Sequence, residues 1–311
     1  MIYQHGAPGS PEEINSASEE FLLDAGYALI GIQDLANRLF GEERSGQSYE
    51  ILARVAFAHH MPLLHFQTHA DLFGLLRAIQ AMGSAENFPE IDPSRIYFRG
   101  ISYGAHHALG FLPLSPEVTA AVAVAGGGRY FENVIHQVGF LDTLAAFQAL
   151  VPDGRPGVLL AGFAALQGDA DRDDPALLAR HLYREPLEVE GQQDDVPASL
   201  LWIEGVGDRV VSGTATRAAA EELGVPLVGS AGGRPSEPRR DAPVAGNIAP
   251  GVTGGSYRYL PASTPSCVAS GSTESHFCPQ SALEAEAQIL HFFATAAEGA
   301  PEILDPLEEA R

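Results

Sequence analysis

Lysine is absent from this sequence: all 18 of its basic residues are arginine. That excludes Schiff-base chemistry on a lysine amine and any phosphate-binding loop built around one. Basic residues are also few, since 40 Asp and Glu leave a formal net charge of −22 over 311 residues. So acidic a surface repels phosphate backbones and anionic membranes, which makes nucleic acid an unexpected partner. There are only two cysteines, Cys267 and Cys278, too few for a four-ligand zinc site of their own. Long apolar runs are missing too: the longest, 157–166, is about half the roughly 20 residues that a bilayer demands. No transmembrane segment is therefore expected. Met1-Ile2-Tyr3-Gln4 runs directly into His5-Gly6, without the apolar stretch of a signal peptide. No internal repeat is visible.

What is present is an ordinary globular composition, 45% apolar, 19% charged and 8% aromatic, which excludes a disordered chain or a coiled coil. Strand and helix signals alternate, the pattern of a mostly parallel sheet covered by helices. Strands are expected at 2–4, 27–33, 95–101, 118–125, 199–204 and 257–260. Helices are expected at 11–25, with Ser10 as N-cap before Pro11, and at 68–82, 103–111, 214–223 and 280–296. Residues 127–197 interrupt the alternation and read as an inserted helical cap between two core segments, 1–126 and 198–311. Residues 229–255, rich in Gly and Pro, read as a long irregular excursion.

Gly100-Ile101-Ser102-Tyr103-Gly104 follows a strand and opens a helix. A serine on so tight a strand-to-helix turn needs small residues two before and two after it, and the turn lifts its hydroxyl above the sheet. A serine hydroxyl needs a base. His276 is best placed for it, following a late strand and preceding the final amphipathic helix, at the sheet edge where open α/β sheets bind ligands. His59, His60, His65 and His69 precede or lie within an early helix, and His106 and His107 follow the serine turn. Their expected roles are structural, and no carboxylate completes a metal pattern with them. The base needs an acid to fix its tautomer. Asp208, in Gly205-Val206-Gly207-Asp208-Arg209, follows a buried strand on a flexible turn and completes the order Ser102, Asp208, His276. Asp194, Asp195, Glu204 and Glu274 are its rivals. An oxyanion needs backbone donors: the Tyr103 N–H follows from the turn, and the Ala7 N–H is the candidate from His5-Gly6-Ala7-Pro8-Gly9, since Pro8 has none.

With these pieces assembled, the chain resembles the α/β-hydrolase superfamily from end to end. The resemblance rests on His5–Gly9, Asp92-Pro93-Ser94-Arg95-Ile96 leading into Gly100–Gly104, Gly207-Asp208-Arg209-Val210-Val211, and His276 before the last helix. The Asp-Pro-Ser-Arg-Ile lead-in is similar to prolyl-oligopeptidase-like and dienelactone-hydrolase-like members. The cap and the tail around Ser275-His276-Phe277 look more like secreted bacterial lipases. The resemblance implies a serine esterase or lipase acting through an acyl-enzyme, without metal or organic cofactor, on a small-molecule or lipid ester. Family members usually place further strands ahead of the His-Gly loop. Here the sheet begins at residue 2: either an edge lies outside this sequence or the sheet is shortened, and a shortened sheet would leave an exposed edge that a second subunit could cover.

Cys267 and Cys278 bracket His276, and a bridge between them would pin its loop; two buried thiols are the alternative. A bridge favours export, so a secreted or periplasmic location is expected, with a removed leader, and a cytoplasmic one is the alternative. In the cap, Phe140, Leu141, Leu144, Phe147 and Leu150, or the run 158–166, could line an acyl pocket. Two other functions fit the same fold: a serine peptidase or amidase, and a non-catalytic binding protein. Haloalkane or epoxide cleavage fits poorly, because an Asp normally stands where this chain has Ser102.

Overall fold

Runs of Val, Ile, Ala and aromatic residues with no polar alternation mark strands that are buried on both faces. A computed structural model describes residues 1–7, 9–16, 18–40, 61–83, 88, 91–136, 145, 148, 155–187, 196–229, 237–272 and 274–308. Its strands are β1 (Ile2–Gln4), β2 (Ile30–Gly31), β3 (Ile96–Ile101), β4 (Val118–Val124), β5 (Ser199–Gly205), β6 (Leu227–Val228), β7 (Arg239–Arg240), β8 (Val244–Ala245), β9 (Gly254–Tyr259) and β10 (Glu302–Ile303). Eight of them form one sheet in the order β2-β1-β3-β4-β5-β9-β6-β7, and every pairing within it is parallel. β8 and β10 pair antiparallel as a separate ribbon.

The helices are α1 (Glu20–Asp24), α2 (Leu35–Phe40), α3 (Met61–Gly83), α4 (Tyr103–Phe111), α5 (Tyr130–His136), α6 (Pro156–Ala170), α7 (Pro175–Tyr183), α8 (Gly213–Leu223), α9 (Pro265–Ser270), α10 (Cys278–Ser281) and α11 (Leu283–Ala297). The alternation of side chains along each strand sorts the core into two layers. Phe98, Ala121, Ala123, Leu200 and Trp202 meet α3, α4, α7 and α8 on one face. Tyr97, Val122, Val124, Leu201 and Ile203 meet α1 and α11 on the other. No helix among the described residues is long and apolar enough to cross a membrane.

Several expected elements differ. The helix expected at 11–25 is a 3₁₀ turn over Pro11–Asn15, capped by Ser10 Oγ accepting from Glu12 N at 3.3 Å, and then α1. The break frees Glu19 to turn inward against Arg99 of β3. Arg99 donates from Nε to Glu19 Oε2 at 2.6 Å and from Nη2 to Oε1 at 3.2 Å. Both side chains are fully buried, and the Phe21 ring lies 5.4 Å from the guanidinium carbon. The strand expected at 27–33 contracts to the two residues of β2 at the sheet edge. The helix expected at 280–296 divides at Ala282 into α10 and α11, because the chain is extended there. The excursion 229–255 carries two short strands, β7 and β8.

Within the stretch expected to be a cap, α7 shares the core of α4 and α8 through Ala179 and Leu182. Asp174 ties its start to the neighbouring segments. The carboxylate caps α7 by accepting from Ala176 N at 2.9 Å, and it also accepts from Arg129 N at 2.7 Å and Tyr130 N at 3.0 Å. One buried side chain thereby fixes the entry to α5, on which Tyr130 stands.

Candidate active site

Ser102 occupies the turn between β3 and α4 with φ 53° and ψ −114°. A non-glycine residue held there costs about 1–3 kcal/mol of backbone strain, which the surroundings must offset. The glycines on either side explain how the turn closes. A Cβ on Gly100 would lie 2.5 Å from the Gly104 carbonyl oxygen, and one on Gly104 only 2.0 Å from that of Gln4. No side chain fits at either position, so α4 can leave β3 only over bare backbone. The Ser102 N–H donates to Val124 O at 2.8 Å, which anchors the turn to β4.

The other two candidate side chains converge on that hydroxyl. Asp208 stands in the loop after β5, just beyond Gly207 at φ 82°. Its Oδ1 accepts from Val210 N at 2.7 Å and from Val211 N at 3.0 Å. Its Oδ2 lies 2.7 Å from His276 Nδ1, and His276 Nε2 lies 3.1 Å from Ser102 Oγ. All three residues are buried. The loop of His276 is fixed against the end of β5: a Cβ on Gly205 would fall 1.8 Å from the Ser275 carbonyl oxygen, and Ser275 Oγ donates to Val206 O at 2.6 Å. Of the rival acids, Glu204 accepts from Arg258 Nε at 2.7 Å and Glu274 is exposed. Asp194 and Asp195 lie outside the described residues.

The two amides proposed from sequence lie in the segments on either side of the serine turn. Tyr103 is the first residue of α4, whose opening N–H groups have no partner within the helix and sit at its positive end. Ala7 is exposed in the loop after β1, and a Cβ on the preceding Gly6 would lie 3.2 Å from Ser102 Cβ. A feature missed in the sequence orients this loop. Asn37 Nδ2 donates to Gly6 O at 3.1 Å and to Asp34 Oδ2 at 2.6 Å, while His5 Nδ1 stands 2.8 Å from Gly6 O. In a planar trans peptide the C=O and the following N–H point in opposite directions. Holding Gly6 O therefore aims the Ala7 N–H the other way. Asn37 carries no motif; only its contact across 31 positions reveals it.

Cys267 and Cys278 are joined as a disulfide, with Cα atoms 5.7 Å apart and a sequence separation of 11. The bridge links α9 to α10 on the side of His276. In the chain-entropy treatment a loop this short stabilises by about 3 kcal/mol. Replacing both cysteines by serine is expected to lower the unfolding free energy by about that amount. Native, unreduced protein should take up no alkylating reagent, and two alkyl groups found by mass measurement would refute the bridge.

The histidines expected to be structural gather behind Tyr103. The rings of His65 and His107 lie 5.5 and 4.7 Å from its ring, and His107 Nδ1 is 3.4 Å from His69 Nε2. Burial keeps His69, His106 and His107 uncharged, lowering the first two to about 3. His59 and His60 lie outside the described residues, as do Phe140, Leu141, Leu144, Phe147 and Leu150. The run 158–166 falls in α6, where Leu159, Phe163 and Leu166 are buried while Val158 and Leu160 are half-exposed.

No protein-family model matches the chain, and no curated protein matches it by sequence. Among solved structures it is similar to a puromycin-hydrolyzing peptidase of Mycobacterium tuberculosis, with a TM-score of 0.52 and 13% identity, covering 94% of this chain and 34% of that one. An acylaminoacyl peptidase of Pyrococcus horikoshii gives 0.46 and 13%, covering 83% of this chain and 31% of that one. An esterase of Pyrococcus furiosus gives 0.45 and 14%, covering 94% and 80%. The chain thus spans about a third of the length of the two peptidases. The fold is that of the α/β hydrolases.

Proposed function

We propose that the chain is a serine hydrolase of carboxylic esters, with Ser102 as nucleophile, His276 as general base and Asp208 as the acid that orients it. One observation carries this reading. An unbroken line of contacts runs from Asp208 Oδ2 to His276 at 2.7 Å and from His276 Nε2 to Ser102 Oγ at 3.1 Å. With Nδ1–H donated to Asp208, the His276 tautomer leaves Nε2 free to accept a proton. Ser102 Oγ attacks the ester carbonyl as its proton passes to Nε2. The oxyanion takes the Tyr103 and Ala7 N–H groups, and Nε2 returns the proton to the departing alcohol. Water, deprotonated in turn by Nε2, then cleaves the acyl-enzyme to acid and free Ser102.

An ester is favoured over a peptide with a free amino terminus, whose ammonium group needs an unengaged carboxylate near the serine. Among the described residues, Asp208 is engaged by His276 and Asp34 by Asn37. The part of 127–197 that precedes α7 then acts as a cap, to which α6 offers the apolar side chains of Val158 and Leu160. The disulfide suits an oxidising compartment, the periplasm or the exterior.

The test is a panel of p-nitrophenyl acetate, octanoate and palmitate beside p-nitroanilides of aminoacyl groups. Turnover of the esters with little release from the anilides is expected. Anilides cleaved as fast as the esters would replace the esterase by a peptidase. A steep preference for acetate would remove the lipase branch.

A further inference from the structure

His106 is unexplained by the hydrolytic machinery. It lies one helical turn beyond Ser102 on α4, is only 8% exposed, and neither of its ring nitrogens has a hydrogen-bond partner among the described residues. An imidazole carries one donor and one acceptor when neutral. Leaving a buried polar group of this kind unpaired is unfavourable. His106 differs from its neighbours in having neither nitrogen paired: His107 Nδ1 faces His69 Nε2 at 3.4 Å and leaves only its Nε2 bare, and His65 meets both Asp173 and Tyr130.

The surroundings of His106 indicate where it faces. Its ring centre is 5.8 Å from those of Tyr103 and Tyr130. It therefore stands between the residue after the nucleophile and the α5 tyrosine. The Tyr130 hydroxyl is set by its own neighbours. The Tyr130 hydroxyl lies 3.2 and 3.1 Å from His65 Nδ1 and Nε2, with the two rings stacked, and His65 Nδ1 in turn contacts Asp173 Oδ2. The phenol stays protonated, since burial pushes it well above its ordinary range. A protonated phenol oxygen keeps lone pairs to offer to a donor beside it. A donor-and-acceptor ring and an acceptor oxygen thus lie side by side next to the reacting centre.

We propose that His106 and the Tyr130 hydroxyl form a polar subsite beside Ser102 for an ester that carries a hydroxyl group near its scissile carbonyl. The inference rests on the ester-hydrolase reading and narrows its substrate class. The substrate hydroxyl donates its one hydrogen to Tyr130 Oη and accepts from the N–H of the His106 ring. One of the two unpaired nitrogens and a Tyr130 lone pair then have a use. An aliphatic chain of the same size leaves both unpaired, and a site built to bond a hydroxyl discriminates against the analogue without it.

Two matched pairs of esters, followed by proton release in a pH-stat, test this. Methyl 3-hydroxybutyrate against methyl butyrate places the hydroxyl on the acyl side, and 2-hydroxyethyl butyrate against propyl butyrate places it on the alcohol side. The wild type is expected to favour the hydroxylated member of at least one pair by about tenfold in kcat/KM, with the preference abolished in His106→Phe. His106→Asn, which keeps a donor and an acceptor, is expected to retain part of it and guards against a phenylalanine variant that fails to fold. No preference in the wild type, or a preference that survives folded His106→Phe, overturns the subsite while leaving the hydrolase reading intact. No hydrolysis of any ester, together with no labelling of Ser102 by a fluorophosphonate, overturns both.

Discussion

Ser102→Ala is expected to lower kcat for ester hydrolysis by about 10⁶-fold and to abolish labelling by a fluorophosphonate. Removing the hydroxyl leaves the Tyr103 and Ala7 amides and the binding surface in place but takes away the covalent path. Residual turnover should then be only what oriented water achieves. Asp208→Asn is the informative companion. An asparagine can still accept from Val210 N and Val211 N, as Oδ1 does now at 2.7 and 3.0 Å. Its amide, however, would donate to His276 Nδ1 and force the ring hydrogen onto Nε2, where it faces Ser102. The hydroxyl loses its proton acceptor, and a fall of about 10⁴-fold follows with the fold unchanged. Both variants are to be compared with the wild type by burst and steady-state kinetics on p-nitrophenyl acetate, with circular dichroism as the control for folding. If Ser102→Ala remained within tenfold of the wild type, the nucleophile would have to be sought elsewhere.

Acid should unfold this protein through its buried imidazoles. His69 and His106 are lowered to about 3, and His107 well below its usual value, in each case first by burial. In the unfolded chain each takes up a proton near its ordinary value of about 6.5. Below that pH the unfolded state binds more protons than the folded one, so unfolding becomes easier as the pH falls. Each imidazole removes about 1.4 kcal/mol per pH unit until its folded value is reached. Their contribution is complete above about pH 6.5 and drains away toward pH 3. Asp173 and Glu204, raised by burial, act in the opposite sense and soften the total. The slope attributable to one histidine is therefore read by difference. Urea unfolding at pH 7.5, 6, 5 and 4.5 is expected to give a His69→Gln variant a shallower loss, by about 1.4 kcal/mol per pH unit. Identical slopes in the two proteins would mean that His69 does not titrate on unfolding as described.

The serine turn was legible because its requirements are local. Gly100 and Gly104 have no room for a side chain, and the strand and helix on either side announce themselves by composition. Asp208 and His276 follow from what such a serine needs and from the element ends that can supply it, and their side chains lie in contact with each other and with Ser102. Features that depend on distant partners were not visible. Glu19 looks like one more acidic residue in an acidic segment until Arg99, 80 positions away, turns out to be opposite it. Asn37 likewise gains its meaning only from Gly6 O. A packing role for the histidines of α3 and α4 accounts for His69. It does not account for the bare nitrogens of His106 or for Nε2 of His107, because unsatisfied hydrogen bonding is a property of the folded neighbourhood and has no sequence pattern. The helix expected at 11–25 failed because its continuous polar and apolar pattern conceals the turn that delivers Glu19 to the sheet.

Arg99 and Glu19 are also a single heritable unit. A guanidinium stays charged at any pH the fold survives, and this one sits in the strand that leads to Ser102. Exchanging either partner alone strands an opposite charge in the dry interior, a loss of about 3–5 kcal/mol. Exchanging both together for apolar residues of similar volume can be nearly neutral. Chimeras of this chain with a homologue should therefore inherit positions 19 and 99 from the same parent, and a crossover between them would select against itself before activity is ever measured.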